Sequence, residues 1–265
     1  MISRVVFILL LSTGLLSAQT STQTPKTLIG TPTRVVLSTK NMLQSMAWWT
    51  KMGFSPVSRP TDKIDSAITL FDGQVVITLV KTSQPSPVLV YRCENIKSLK
   101  AKLDSLTIAS TYDVEGPSFS ELRLRSPNNV YLALRPETLE EDYKKVIALN
   151  PMCGKLTEFS AAASKVKPER QYWEDLGFVV VRGDSIPYEF VNMGDGHIEI
   201  GIHLDRDIVS TAFTYFMPDM EKRIENLRTS GIFPVEEIPT ADNRKANAIY
   251  ESPDGQLVFL FEGTK

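Results

Sequence analysis

The residues with the most chemical potential lie in one short run, His197-Ile198-Glu199-Ile200-Gly201-Ile202-His203. Its alternation is that of a β-strand, in which successive side chains point to opposite faces. Ile198, Ile200 and Ile202 take one face, and His197, Glu199 and His203 take the other. The chain has two histidines, and both are here. Imidazole and carboxylate on one surface suit metal ligation or acid–base work; the plainer reading is a partly solvated polar face. His197 follows the turn signal Asp195-Gly196 and reads as a surface turn residue. No G-x-S-x-G elbow, phosphate loop or H-E-x-x-H helix occurs. Asp62 to Asp65 and Asp205 to Asp207 lack the calcium-loop pattern and read as solvated loops. Cys93 and Cys153 lie far apart with no C-x-x-C, and read as separate buried thiols.

Composition narrows the partners. The chain carries 29 basic and 31 acidic residues, a balance that argues against nucleic acid, because phosphate binding needs a basic surplus. A length of 265 residues with 42% apolar content suits about two packed domains. Residues 1–18 read as a signal peptide: Arg4, the apolar run Val5 to Leu11, and small residues ending at Ala18. The run is shorter than the ~20 residues that span a bilayer. We therefore expect an exported protein, periplasmic or secreted, with no membrane partner after cleavage.

The elements that must position the His/Glu strand come in repeats. Trp48-Trp49-Thr50-Lys51-Met52-Gly53-Phe54 matches Tyr172-Trp173-Glu174-Asp175-Leu176-Gly177-Phe178 at a spacing of 124 residues. Asn95 to Leu103 matches Asp219 to Leu227 at 124, Asp72-Gly73 matches Asp195-Gly196 at 123, and Ser126-Pro127 matches Ser252-Pro253 at 126. A near-constant offset marks tandem duplication. Each half divides again into strand–helix–three-strand modules. In the first, Arg34 to Ser38 reads as a strand. Asn41 with Gln44 opens a helix, Met42, Met46 and Trp49 share its apolar face, and Gly53 ends it. Phe54 to Ser58, Ala67 to Phe71 and Val75 to Val80 follow as strands, the last two joined by a two-residue hairpin at Asp72-Gly73. Val88 to Arg92, Asn95 to Leu103, a weak strand near Ile108, Glu121 to Arg125 and Val130 to Leu134 repeat the order. The second half does likewise from Leu156 to Ala162 and from Ala212 to Phe216. Trp48, Trp49, Tyr172 and Trp173 read as helix residues packed on their sheets. Residues 137–152 read as a linker helix capped at Thr138.

Four such modules in two pairs, with the W-W-T-K-M-G-F and Y-W-E-D-L-G-F segments and the late S-P-D-G-Q-L-V-F-L turn and strand, resemble the vicinal oxygen chelate superfamily of glyoxalase, bleomycin-resistance and extradiol dioxygenase proteins. The resemblance implies an α+β fold of tandem βαβββ modules paired into two open barrels, over residues 30–136 and 153–264. It also implies a divalent metal held by His, Gln or Glu from the first and fourth strands of paired modules. At the first position stand Arg34 in one half and Glu158 in the other. Ala133 and Phe259 stand where a Glu is implied. Six of eight implied ligand positions hold none, so no cofactor is expected. The expectation is a binding protein, monomer or homodimer, for a small organic ligand in the second half, with Glu158, Glu199, His203 and Phe259 around it. Arg34 either clamps an anion or snorkels from a rim. The alternative is a metal-dependent lyase, isomerase or dioxygenase of the glyoxalase type using Glu158 and His203.

Overall fold

The computed structural model describes residues 27–57, 66–116, 120–136, 151–185, 188–204 and 210–263. The expected signal peptide and residues 137–150 of the expected linker helix lie outside them. The first module runs β1 (Thr31–Thr39), α1 (Met42–Lys51), β2 (Ser55–Val57), β3 (Ala67–Phe71) and β4 (Val76–Lys81). The second runs β5 (Val88–Arg92), α2 (Ile96–Ser105), β6 (Tyr112–Glu115), β7 (Ser120–Arg125) and β8 (Tyr131–Arg135). The third is β9 (Lys155–Ala162), α3 (Val166–Asp175), β10 (Val179–Asp184), β11 (Phe190–Gly194) and β12 (Glu199–His203). The fourth is β13 (Ala212–Met217), α4 (Met220–Thr229), β14 (Glu236–Ile238), β15 (Asn247–Glu251) and β16 (Leu257–Glu262). Each half forms one eight-stranded sheet, ordered β2-β3-β4-β1-β5-β8-β7-β6 and β10-β11-β12-β9-β13-β16-β15-β14. The two orders are the same list shifted by one half, as duplication requires. Neither sheet closes on itself.

Local chemistry sets the element ends. The Asn41 side chain accepts the Gln44 N–H at 3.2 Å, which gives α1 its N-cap. The Asn41 N–H goes to Thr39 Oγ1 at 3.1 Å, so Thr39 supplies the return half of the cap that a capping box assigns to Gln44. Asn95 caps α2 in the same way. Gly53 and Gly177 take φ of +99° and +89°, and a left-handed residue just past each helix turns the chain back toward its sheet.

Two expectations need correction. Phe71 pairs with Val76, so Asp72 to Val75 make a four-residue loop rather than a two-residue hairpin. Asp72 Oδ1 organises it by accepting the Gln74 and Val75 N–H groups at 2.8 and 2.7 Å. Burial outweighs these bonds and raises the Asp72 pKa. The strand expected near Ile108 begins at Tyr112; Ile108 is a buried loop residue on the core. Its apolar character signals burial, not pairing.

The halves share one core. Trp49 meets Phe54 edge-on at 5.0 Å and Phe213 of the other half at 5.6 Å. Tyr91 Oη donates to Asp195 Oδ2 at 2.8 Å, and Tyr215 Oη donates to Asp72 Oδ2 at 3.4 Å. Each loop aspartate thus takes a tyrosine from the opposite half, in a two-fold-like exchange. The Ser45–Asp254 bond and the Asn128–Glu169 bonds cross the halves with the same reciprocity. Trp49 and Trp173 are fully enclosed, in line with the packing expected of them. Both cysteines are buried and unbridged.

Candidate functional site

On β12, Ile200 and Ile202 pack into the core beneath α3, and Glu199 and His203 face the other way. The same alternation puts Phe159 and Ala161 of β9 in the core and sends Glu158 and Ser160 to the helix-free face. Register then aligns the polar groups. Asn192 pairs with Gly201, Gly201 pairs with Ser160, and Glu158 pairs with Thr214.

Glu158 is the centre. It is 3% exposed. Its Oε1 accepts from Ser160 Oγ at 2.7 Å and from His203 Nε2 at 2.8 Å. Its Oε2 accepts from Arg182 Nη2 at 3.1 Å and from Asn192 Nδ2. Burial on its own would push the carboxyl up. The hydrogen bond and charge of His203, with the bonds from Ser160 and Asn192, prevail and hold it well below the usual carboxylate range. An ionised carboxylate only accepts hydrogen bonds, so the proton between Glu158 and His203 sits on Nε2. Nδ1 of His203 is buried with no hydrogen-bond partner among the described residues. The ring stacks on Phe190 at 5.8 Å with an interplanar angle of 15°, and Tyr188 lies at 6.0 Å. Such a carboxylate-held imidazole can serve as an acid–base group through Nδ1 once a ligand reaches it.

Gly201 makes the arrangement possible. A Cβ there would lie 2.6 Å from both Glu158 Cδ and His203 Nε2. Gly201→Ala is expected to push the pair apart and cost about 1–3 kcal/mol, as overpacking does. Thermal unfolding checks the cost, and the His203 ring signals in NMR check the separation.

A cavity of about 370 Å³ opens beside the network, lined by Glu158 and Glu199 together with Lys155, Leu156, Val179 and Val181. That volume lies within the range of small-molecule sites. Glu199 joins the network through Asn192 Nδ2, 3.3 Å from its Oε2. His197 is a turn residue whose N–H is held by Asp195 at 2.7 Å. Phe259 pairs with Thr214 on the same sheet, yet is buried against Ala212, Ile238 and Phe261 and is not part of the cavity lining. Arg34 lies in the other sheet, where it pairs with Val90. In that half the buried carboxylate carried by a strand is Glu121 of β7, bound by Arg123 and Arg135.

Sequence reasoning missed Arg182, Asn192, Ser160 and Gly201. Two signals were there: an asparagine inside an apolar strand, and a lone glycine inside a strand, which marks close approach.

The metal implied by the resemblance does not fit these residues. Among the described residues, no group of three or more His, Cys, Asp or Glu side chains is placed to hold an ion. A carboxylate has about four lone-pair sites, and the four donors on Glu158 take them all. Nε2 of His203 carries the proton shared with the carboxylate, which leaves Nδ1 as its one nitrogen able to ligate.

Solved structures share this architecture. A catechol 2,3-dioxygenase matches at 12% identity over 88% of this chain and 93% of its own, with a TM-score of 0.59. A homoprotocatechuate 2,3-dioxygenase from Arthrobacter globiformis matches at 14% over 90% and 81%, with a TM-score of 0.60. A Mn(II)-bound glyoxalase from Novosphingobium aromaticivorans matches at 14% over 90% and 83%, with a TM-score of 0.57. No protein-family model and no curated protein matches the sequence. The chain shares the two-half fold of these solved structures. At these identities the likeness establishes fold, and activity has to be argued from the site.

Proposed function

We propose that this is an exported, metal-independent binding protein of the vicinal oxygen chelate fold, holding a small organic ligand in the cavity beside Glu158. The observation that carries the reading is the saturated carboxylate. All four acceptor sites of Glu158 are taken by side chains of the chain itself, in the half where the resemblance implies a metal. The cavity wall of Leu156, Val179 and Val181, with Lys155 and Glu199 as polar points, suits a largely apolar ligand with one or two polar groups. The first half acts as scaffold. Export rests on the character of residues 1–18.

One observation favours a second reading, a metal-dependent enzyme: Glu158 and His203, the two residues implied as ligands, are in contact. There the ion would displace Arg182 and Asn192 from the carboxylate. A turnover assay separates the readings. Protein incubated with Fe(II) or Mn(II) and offered catechol in air is expected to form no ring-cleavage product above the metal-only control. Sustained turnover that disappears in His203→Ala would overturn the binding reading.

A further inference from the structure

We infer that the helix-free face of the first half is a second binding site, built from arginines and suited to a small organic anion with a carboxylate or phosphate group. This goes beyond the reading above and gives that half a role besides scaffold. Alternation places the side chains. Leu89 and Tyr91 of β5, Leu122 and Leu124 of β7, and Leu132 and Leu134 of β8 belong to the core. Val90 and Arg92, Glu121 and Arg123, and Ala133 and Arg135 therefore take the opposite face. Register gathers them. Arg92 pairs with Arg135 and Val90 with Ala133, and Arg123 pairs with Ala133 from the other side. Arg34 of β1 pairs with Val90, at the far end of that row.

One carboxylate serves this face. Glu121 is fully buried and holds Arg123 and Arg135 at once. Arg123 makes this bond with its Nε, and its guanidinium lies 4.9 Å from the Tyr112 ring. A guanidinium has five N–H donors, so among the described residues the Nη groups of Arg123 are left for an acceptor from outside. The other acids in the strands of this sheet, Asp113 and Glu115 of β6, are engaged by Lys100 and Lys97 of α2. Arg92 and Arg135 stand side by side on adjacent strands, about 4.8 Å apart at the backbone, where like charges repel. A bound anion relieves that repulsion, and guanidinium forks match carboxylate and phosphate oxygens. The fold itself does not demand arginine here. At the same sheet positions of the second half, Phe216 pairs with Phe261 and Ile249 with Phe259. Those side chains pack on one another and fill their face. In the first half Ala133 stands where Phe259 does, and Arg92, Arg123 and Arg135 replace the other three.

The test is isothermal titration of the full-length mature protein with citrate and with inorganic phosphate, at low ionic strength so that charge is little screened. At least one of the two is expected to bind at about one per chain, with a millimolar or tighter dissociation constant; which of them binds tighter assigns the ligand group. Arg92→Gln leaves the Glu121 bonds in place and is expected to weaken binding about tenfold, as loss of a charge-assisted hydrogen bond does. Ala133→Phe, which imports the side chain of the second half, is expected to abolish it. Arg170→Gln, on the exposed side of α3, should leave it unchanged. If Ala133→Phe does not fold by circular dichroism, Arg92→Gln decides alone. Binding of neither anion, uptake of several anions per chain, unchanged affinity in Arg92→Gln, or an equal loss in Arg170→Gln overturns the inference. Those results leave the reading of the cavity beside Glu158 where it stands.

Discussion

Replacing Glu158 by alanine is expected to destabilise the protein by about 3–5 kcal/mol, the range found when one partner of a buried, hydrogen-bonded charge network is removed. The loss strands several donors at once. Asn192 is fully buried, Ser160 is 3% exposed, and the Nε2 proton of His203 points at the carboxylate. Each buried donor left without an acceptor costs about 1–3 kcal/mol. Glu158→Gln keeps the volume and one acceptor oxygen, and should cost less. The comparison of wild type with Glu158→Gln also has a pH signature. The folded carboxyl lies below its usual range, so its stabilising effect is complete above the unfolded value of about 4.3 and declines as pH falls below it toward the folded value. Denaturant unfolding at neutral pH and near pH 3 checks both points. A cost under about 1 kcal/mol for Glu158→Ala would show that the network behaves as solvated surface.

The second large effect concerns the shared core. Trp49 lies in the first half, and its ring meets Phe213 of the second. Trp49→Ala is expected to cost about 3–5 kcal/mol, as deletion of a buried aromatic does. More informative is the shape of the transition. Tyr91–Asp195, Tyr215–Asp72 and Asn128–Glu169 all cross between the halves. The chain should therefore still unfold in one step, with tryptophan fluorescence from Trp48 and Trp173 coincident with circular dichroism. A separate transition of one half at lower denaturant would contradict a common core.

The repeat told most of the fold in advance. The Trp48-Trp49 and Tyr172-Trp173 segments, the asparagine caps at Asn41 and Asn95, and the Asp-Gly turns place the helices and most strands, because these are local signals. The face assignment within His197 to His203 also followed from alternation alone. Glu158 came from a position implied by resemblance. What alternation cannot supply is which strand lies beside which, and in what register. Asn192 meets Glu158 because β11 pairs with β12 and β12 with β9. Arg182 arrives through a bulge that no periodicity announces. Val179, Val180 and Val181 look like a core strand in sequence, yet all three are exposed on β10. Phe259 occupies an implied ligand position, but its neighbours Ile238 and Phe261, brought in by the sheet, bury it away from the cavity.

The most direct test of a metal-independent site is metal content. Mature protein purified without chelator, and again after incubation with excess Fe(II), Mn(II), Ni(II) or Zn(II) and desalting, should carry well under one ion per chain. About one ion per chain held by the wild type through desalting, and lost in His203→Ala, would contradict it.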